Sequence, residues 1–220
     1  MKTLIKVVNP IILSGKLGDG CIFKNNEEQK EHNISFVSKN LDYLTYKRDE
    51  LSKIVKVSNL RKQKSGYKEG AFSFTFSTHM SKQVTDVANL SVIECIEALT
   101  KESFSMFYLD DGTYHQKKHF MHLYCNEFTE IEVEHLISKI YSLYPYKISS
   151  IRWDRKKDGR KYPYIYIPVK TANEIKKDVE KFLVKNEIYS MLYKVGIDSP
   201  PETIENISKE LIACSLEISE

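Results

Sequence analysis

The chain has 220 residues, 41% of them apolar and 29% charged, with a formal net charge of +3. That length admits one domain or two with a real core, and that balance excludes a disordered chain. No window nears the roughly 18 uninterrupted apolar residues of a membrane helix. The opening MKTLIKVVNP has too short an apolar stretch for a signal peptide and no small-residue cleavage pattern, so an intracellular protein of the cytoplasm or an organelle matrix is expected, without a membrane partner.

In chain order, the first marked element is ILSGKLGDG at 12–20, an apolar helix-like run that delivers the Asp19 carboxylate to its exit. A single Asp-Gly ending carries little weight, because helices often stop at glycine. LDYLTYKRDEL at 41–51 reads as an amphipathic helix. Two strands follow at 55–60 and 71–77, flanking RKQKSGYK at 61–68, which has four bases and no acid. Helix starts are marked by Ser91-x-x-Glu94 and, more weakly, Thr100-x-x-Ser103. FSMFYLDDG at 104–112 then repeats the first pattern and delivers Asp111.

Thr129-x-x-Glu132 opens a helix with Val133, Leu136, Ile137, Ile140 and Tyr141 on one face. Strands are expected at 147–153 and 162–169, joined through a turn at Lys157-Asp158-Gly159. The hairpin between them, RWDRKKDGRK at 152–161, holds six bases and two acids. Thr171-x-x-Glu174 opens a last helix with Ala172, Ile175, Val179, Phe182 and Leu183. Beyond Val195-Gly196 and Pro200-Pro201, an acidic amphipathic helix is expected. From Asp198 onward there are six acids and one lysine, net −5, leaving +8 on residues 1–197.

These elements recur at matched offsets. Leu44 lies 25 residues after Asp19 and Leu136 lies 25 after Asp111; the basic segments begin at Leu60-Arg61 and at Arg152, each 41 residues after its acid; the alternating FSFTF and YPYIYIP begin 53 and 51 residues on. Constant spacing over four features argues for two copies of one unit. The expected division is 1–92, 93–188 and an acidic extension at 189–220.

The chemistry-bearing residues are few. Two carboxylates at helix exits are the pair that a divalent metal and a phosphodiester require. Cys21, Cys95, Cys125 and Cys214 are scattered, with no C-x-x-C pair, and read as reduced thiols. His115, His119 and His122 cluster after the second acid, but no supporting acid is placed among them and they read as strand residues. Tyr162, Tyr164 and Tyr166 alternate on one strand face.

On Gly18-Asp19-Gly20 and Asp110-Asp111-Gly112, and on YLDDGTYH, LYCNEFTEIEVEHL and RKYPYIYIP in that order, the chain resembles a single-chain LAGLIDADG homing endonuclease over residues 8–185. The resemblance implies an α+β fold of two pseudo-symmetric αββαββα repeats, with motif helices side by side at the interface and two saddle-shaped antiparallel sheets forming a DNA-binding surface. It implies a monomer that makes a staggered double-strand break in double-stranded DNA with Mg²⁺ or Mn²⁺. Asp19 and Asp111 would be the catalytic metal-holding acids, one for each strand, helped by the carbonyls of Gly18 and Asp110. Asn126, Lys117 and Lys118 would organise water. DNA contacts would come from Arg61, Lys62, Lys64 and Lys68 on one hairpin, and from Arg152, Arg155, Lys156, Lys157, Arg160 and Lys161 on the other. Two other readings remain open: a maturase acting on intron RNA, and a DNA-binding regulator without catalysis. The chain departs from the family pattern at Lys16 and in the bulk of Met106, Phe107 and Tyr108, whereas Ser14, Gly15 and Gly18 suit close helix contact.

Overall fold

The computed structural model describes residues 8–24, 26, 28–64, 71–155 and 159–198. Helix α1 (Pro10–Leu17) starts where the Asn9 side chain accepts from the Ile11 and Ile12 amides and proline takes the first turn, the one place where its missing N–H costs nothing. Strands β1 (Gly20–Phe23) and β2 (Asn33–Ser38) form a hairpin, followed by α2 (Leu41–Ser52), β3 (Arg61–Lys64), β4 (Phe72–Ser77) and α3 (Lys82–Ala88). A short α4 (Val92–Glu97) leads to α5 (Lys101–Asp111), and the series repeats as β5 (Gly112–His115), β6 (Phe120–Tyr124), α6 (Glu130–Leu143), β7 (Ser150–Arg155), β8 (Lys161–Ile167) and α7 (Val169–Lys185). A 3₁₀ helix, Tyr189–Val195, ends at Gly196 with a left-handed φ of 78°.

Each unit builds a four-stranded antiparallel sheet, in the orders β1-β2-β4-β3 and β5-β6-β8-β7. The identical orders give the offset repetition its structural meaning. Ile34, Phe36 and Phe76 of the first sheet, and Met121, Leu123, Ile165 and Ile167 of the second, point into one continuous core with α1 and α5 at its centre. Period-two alternation sends the intervening residues to the outer faces. No helix among the described residues is long and apolar enough to cross a membrane.

Three of the four helix-start patterns close as capping boxes, at Ser91, Thr100 and Thr129. The fourth does not. Helix α7 begins two residues before Thr171, whose buried hydroxyl instead accepts from the Lys147 amide and donates to its carbonyl. That clasp holds Lys147 off the sheet, and β7 starts at Ser150 rather than 147. The strand expected at 55–60 is likewise displaced. Val55 closes the end of α2, Val57 makes one isolated bridge to Thr78, and the ladder forms only at Arg61–Lys64 against Phe72–Thr75. A partner strand overrides the β-propensity of valine.

The body also extends past residue 188, because Met191, Leu192 and Val195 are buried. The acidic helix expected after Pro200-Pro201 lies outside the described residues, as do Cys214, Lys68, Lys156 and Lys157. Gly159 carries a φ of 84°, which fits the turn expected there.

Candidate active site

Both acids leave a motif helix where its last amide is satisfied: Gly18 donates to the Ser14 carbonyl at 2.9 Å, and Gly112 donates to that of Tyr108. The two exits touch. A Cβ on Gly18 would stand 2.9 Å from Asp111 Oδ2 and 3.1 Å from the Asp110 Cβ, so glycine is what lets the Asp111 carboxylate close over the first helix. Gly15 faces a different neighbour, since a Cβ there would meet the Phe36 ring at 2.6 Å, which places it against the first sheet. The bulk of α5 also points elsewhere, with Phe107 stacked on Phe128 and Tyr108 reaching the Lys194 carbonyl.

Crowding shows in the acidities. Asp111 is pushed up to about 7, first by burial, then by the charges of Asp19 and Asp110, against the pull of Lys194 and Lys47. Asp19 is raised as well, by burial and then by Asp110, with Lys47 and Lys194 opposing. As a residue Asp19 keeps solvent contact, and Asp111 is shifted further. Repulsion between nearby carboxylates is what a bound cation relieves.

Asp110 does not add a third free carboxylate. Its oxygens accept from Lys47 Nζ at 2.9 and 3.0 Å, and both side chains are almost wholly buried. The same ammonium lies 4.3 Å from the Tyr43 ring centre and 4.9 Å from that of Phe36. On the other side Lys194 donates to the Gly112 carbonyl at 2.8 Å and to the Asp110 carbonyl at 3.3 Å. Burial lowers the Lys194 pKa, with Asp110, Asp19 and Asp111 pulling the other way. Asp19, Asp110, Lys47, Lys194 and Lys64 line one open cavity of about 610 Å³.

No three His, Cys, Asp or Glu side chains converge on a metal position among the described residues. The available donors are therefore two carboxylates, backbone carbonyls and water, an all-oxygen set suited to a hard divalent ion. Its fit is qualified at one ligand, because the Asp110 carbonyl expected to complete the shell already faces an ammonium.

The other expected site residues separate into groups. Asn126 is an exposed turn residue next to Cys125, whose thiol feels the Asp111 charge, so it sits at the acid end of its sheet. Lys117 and Lys118 do not reach the acids: they lie in the turn joining β5 to β6, and β5 leads away from Asp111 at about 3.3 Å per residue. Lys47 and Lys194 surround the acids instead. Neither stood out in the sequence, Lys47 reading as one charge on an amphipathic helix and Lys194 falling in the expected extension.

The basic hairpins divide by strand alternation. Arg61 shares the outer face with Gln63, Ser73 and Thr75, whereas Lys62 and Lys64 pair with Phe74 and Phe72 on the opposite face. Arg152 lies on the outer face over the Tyr166 ring at 4.0 Å. Arg155 and Lys161 oppose each other on the other face, and the exposed Arg160 lies 5.9 Å from the Tyr162 ring centre. Of the histidines, His115 and His122 are hydrogen-bonded to one another at 3.1 Å, and His119 bonds to the Tyr114 hydroxyl.

Two αββαββα units joined through acid-tipped helices make up the LAGLIDADG homing endonuclease fold. The chain belongs to the LAGLIDADG DNA endonuclease family, whose model matches residues 11–175. It is similar to the homing endonuclease I-WcaI bound to its DNA recognition sequence, with a TM-score of 0.64 and 20% identity over 90% of this chain and 89% of that one. It is also similar to I-DmoI in complex with DNA and Mn, with a TM-score of 0.51 and 14% identity over 77% of this chain and 94% of that one. At these identities the likeness shows the fold. Among curated proteins none matches the chain.

Proposed function

We propose that the protein is a site-specific DNA endonuclease that makes a divalent-metal-dependent, staggered double-strand break, acting as a monomer whose two units each supply one acid. The observation that carries this reading is the approach of Asp111 to Gly18, which brings carboxylates 92 positions apart to one crowded centre. Family membership supports nuclease chemistry, and the outer faces of the two sheets offer a surface for duplex DNA.

Asp19 and Asp111 would hold the divalent ion, with the Gly18 carbonyl and water. Bound there, Mg²⁺ or Mn²⁺ supplies Lewis acidity to a phosphodiester oxygen and lowers the pKa of an attacking water. The chain's own residues do the rest. Lys47 neutralises Asp110 and keeps its carboxylate from competing for the cation. Lys194, tethered to the Asp110 and Gly112 carbonyls, places a positive charge where a phosphate must lie. Asn126 stands at the same end of its sheet to orient water. Outer-face Arg61 and Arg152 contact the duplex.

The test is cleavage of DNA spanning the uninterrupted host locus, with Mg²⁺ or with chelator. The wild type should cut only with the metal. Asp19→Asn and Asp111→Asn should keep binding and lose double-strand cleavage by at least about a thousandfold, given the several kcal/mol that metal catalysis supplies. Wild-type protein that binds this DNA as tightly as both variants and leaves it intact would sink the proposal.

A further inference from the structure

We propose that the outer face of the second sheet recognises thymine through its C5-methyl groups, while the first sheet reads purine edges by hydrogen bonding, so that the two half-sites of the target differ in chemistry. This rests on the DNA-binding reading above.

The two outer faces share a topology and differ in character. On the first, Arg61 and Gln63 are the long polar side chains, and behind them stand Ser73, Thr75, Ser77 and Ser35, with the exposed Val37 among them and Cys21 and Phe23 on the edge strand. Arginine and glutamine suit bidentate bonds to guanine and adenine. On the second, His115, Phe120, His122, Tyr124, Tyr164 and Tyr166 form a continuous ladder of rings. His115 and Phe120 centres lie 4.2 Å apart, His122 and Tyr164 4.6 Å, Phe120 and Tyr166 5.1 Å, and Tyr124 and Tyr164 6.0 Å. Among the described residues the charges on this face are Arg152 and Asp154 in the strands and Arg160 beside the Tyr162 ring, all toward the β7 edge and off the ladder's centre. His122 is pushed down to about 4 by burial, His115 and Arg152, so the centre of the ladder carries no charge at neutral pH.

The ring ladder itself carries no charge and gains little from phosphates, which are left to Arg152 and Arg160 beside it. Methyl groups on the floor of the major groove are the apolar feature a duplex offers it, and a two-stranded ribbon fits that groove. Ring geometry argues against a stacking platform for unpaired bases. Neighbouring rings meet at 50°, 54° and 42°, and the Tyr166 face is covered by the Arg152 guanidinium at 4.0 Å. The rings therefore cover one another's faces, whereas stacking needs open ones.

The test begins with selection of bound duplexes from a randomised pool by the full-length Asp111→Asn protein, which should recover sites with thymine clustered in one half. Replacing those thymines with uracil, which removes only the methyl, should weaken binding about fourfold per buried methyl. Uracil in the other half should change affinity less than about twofold. Tyr164→Ala should abolish the uracil effect, Tyr164→Phe should preserve it, and Arg61→Ala should relax specificity in the opposite half only. Equal affinity for uracil and thymine in both halves overturns the proposal. So does tighter binding of single-stranded RNA than of any duplex, which would make the ladder a stacking surface after all. Failure to select any duplex sinks the endonuclease reading beneath it.

Discussion

Three residues before its acid, α1 carries Lys16 and α5 carries Tyr108. Lys16 donates to the carbonyls of Val87, Ala88 and Leu90, where α3 ends, and Tyr108 donates to the carbonyl of Lys194 at the close of the 3₁₀ helix. Each ties its motif helix to the far end of its own unit, one with an ammonium and the other with a phenol. One residue before the acids stand Gly18 and Asp110, and 28 residues after them stand Lys47 and Lys139. Only one diagonal of this arrangement is charged: Lys47 grips Asp110 in the interior, while Lys139 donates to the Glu97 carbonyl at the surface. The backbone repeats, but the interior charge occurs once. Duplication therefore preserved the scaffold while the two halves specialised at the positions that meet.

The sharpest break of this comparison is Lys47→Met, which leaves Asp110 buried without a partner. It should cost about 3–5 kcal/mol, or roughly 6–20 °C in Tm at 2–4 °C per kcal/mol, whereas Lys139→Met should stay within about 0.5 kcal/mol. Adding Asp110→Asn to Lys47→Met should restore much of the loss. Comparable melting of the two lysine variants would mean that the halves are equivalent after all.

Gly18→Ala comes next. Its methyl lands 2.9 Å from Asp111 Oδ2, so overpacking of about 1–3 kcal/mol is expected, together with slower cleavage. Thermal unfolding and single-turnover cleavage read the two effects, and an unchanged rate would separate helix contact from catalysis.

The Asp111 charge can be titrated out. A carboxyl whose folded pKa exceeds its unfolded value binds its proton more tightly when folded, so its contribution is whole below about pH 4 and is lost as pH rises through about 7. In chelator at pH 8, Asp111→Asn should therefore stabilise the fold, by about 1–2 kcal/mol after allowing for water at the site. The gain should vanish below pH 4. A constant difference across that range would show that the acid is not crowded. The smallest contrast is between Lys16→Met, expected to cost about 1–2 kcal/mol for its three carbonyls, and Tyr108→Phe, about 1 kcal/mol for its one hydrogen bond; denaturant unfolding resolves them.

The acid-tipped helices, the amphipathic faces of α6 and α7 and the constant offsets are legible because they repeat with local periods of 3.6 or with a fixed unit length. Long-range partners are not. Lys47 meets Asp110 across 63 positions and Lys194 meets Gly112 across 82, and nothing local distinguishes such a lysine from one on a solvated face. Val55 and Val57 misled for a related reason, since a strand exists only where another strand receives it. Thr171 had the spacing of a cap, but a distant backbone claimed its hydroxyl. The division of Arg61 from Lys62 needed only the alternation of a strand, once the strand itself was correctly placed.

The Lys47–Asp110 pair joins the second helix of one unit to the motif helix of the other, and that decides which halves can recombine. Two copies of the first unit would bring a desolvated ammonium to Gly18 with no anion to receive it. Two copies of the second would bring a desolvated carboxylate to a helix whose lysine is engaged at the surface. Only the mixed couple cancels both charges. In a chain severed in the linker ahead of α5, the mixed pair is accordingly expected to outcompete either self-pair, so the ion pair works as a keyed lock between two units that otherwise share one shape.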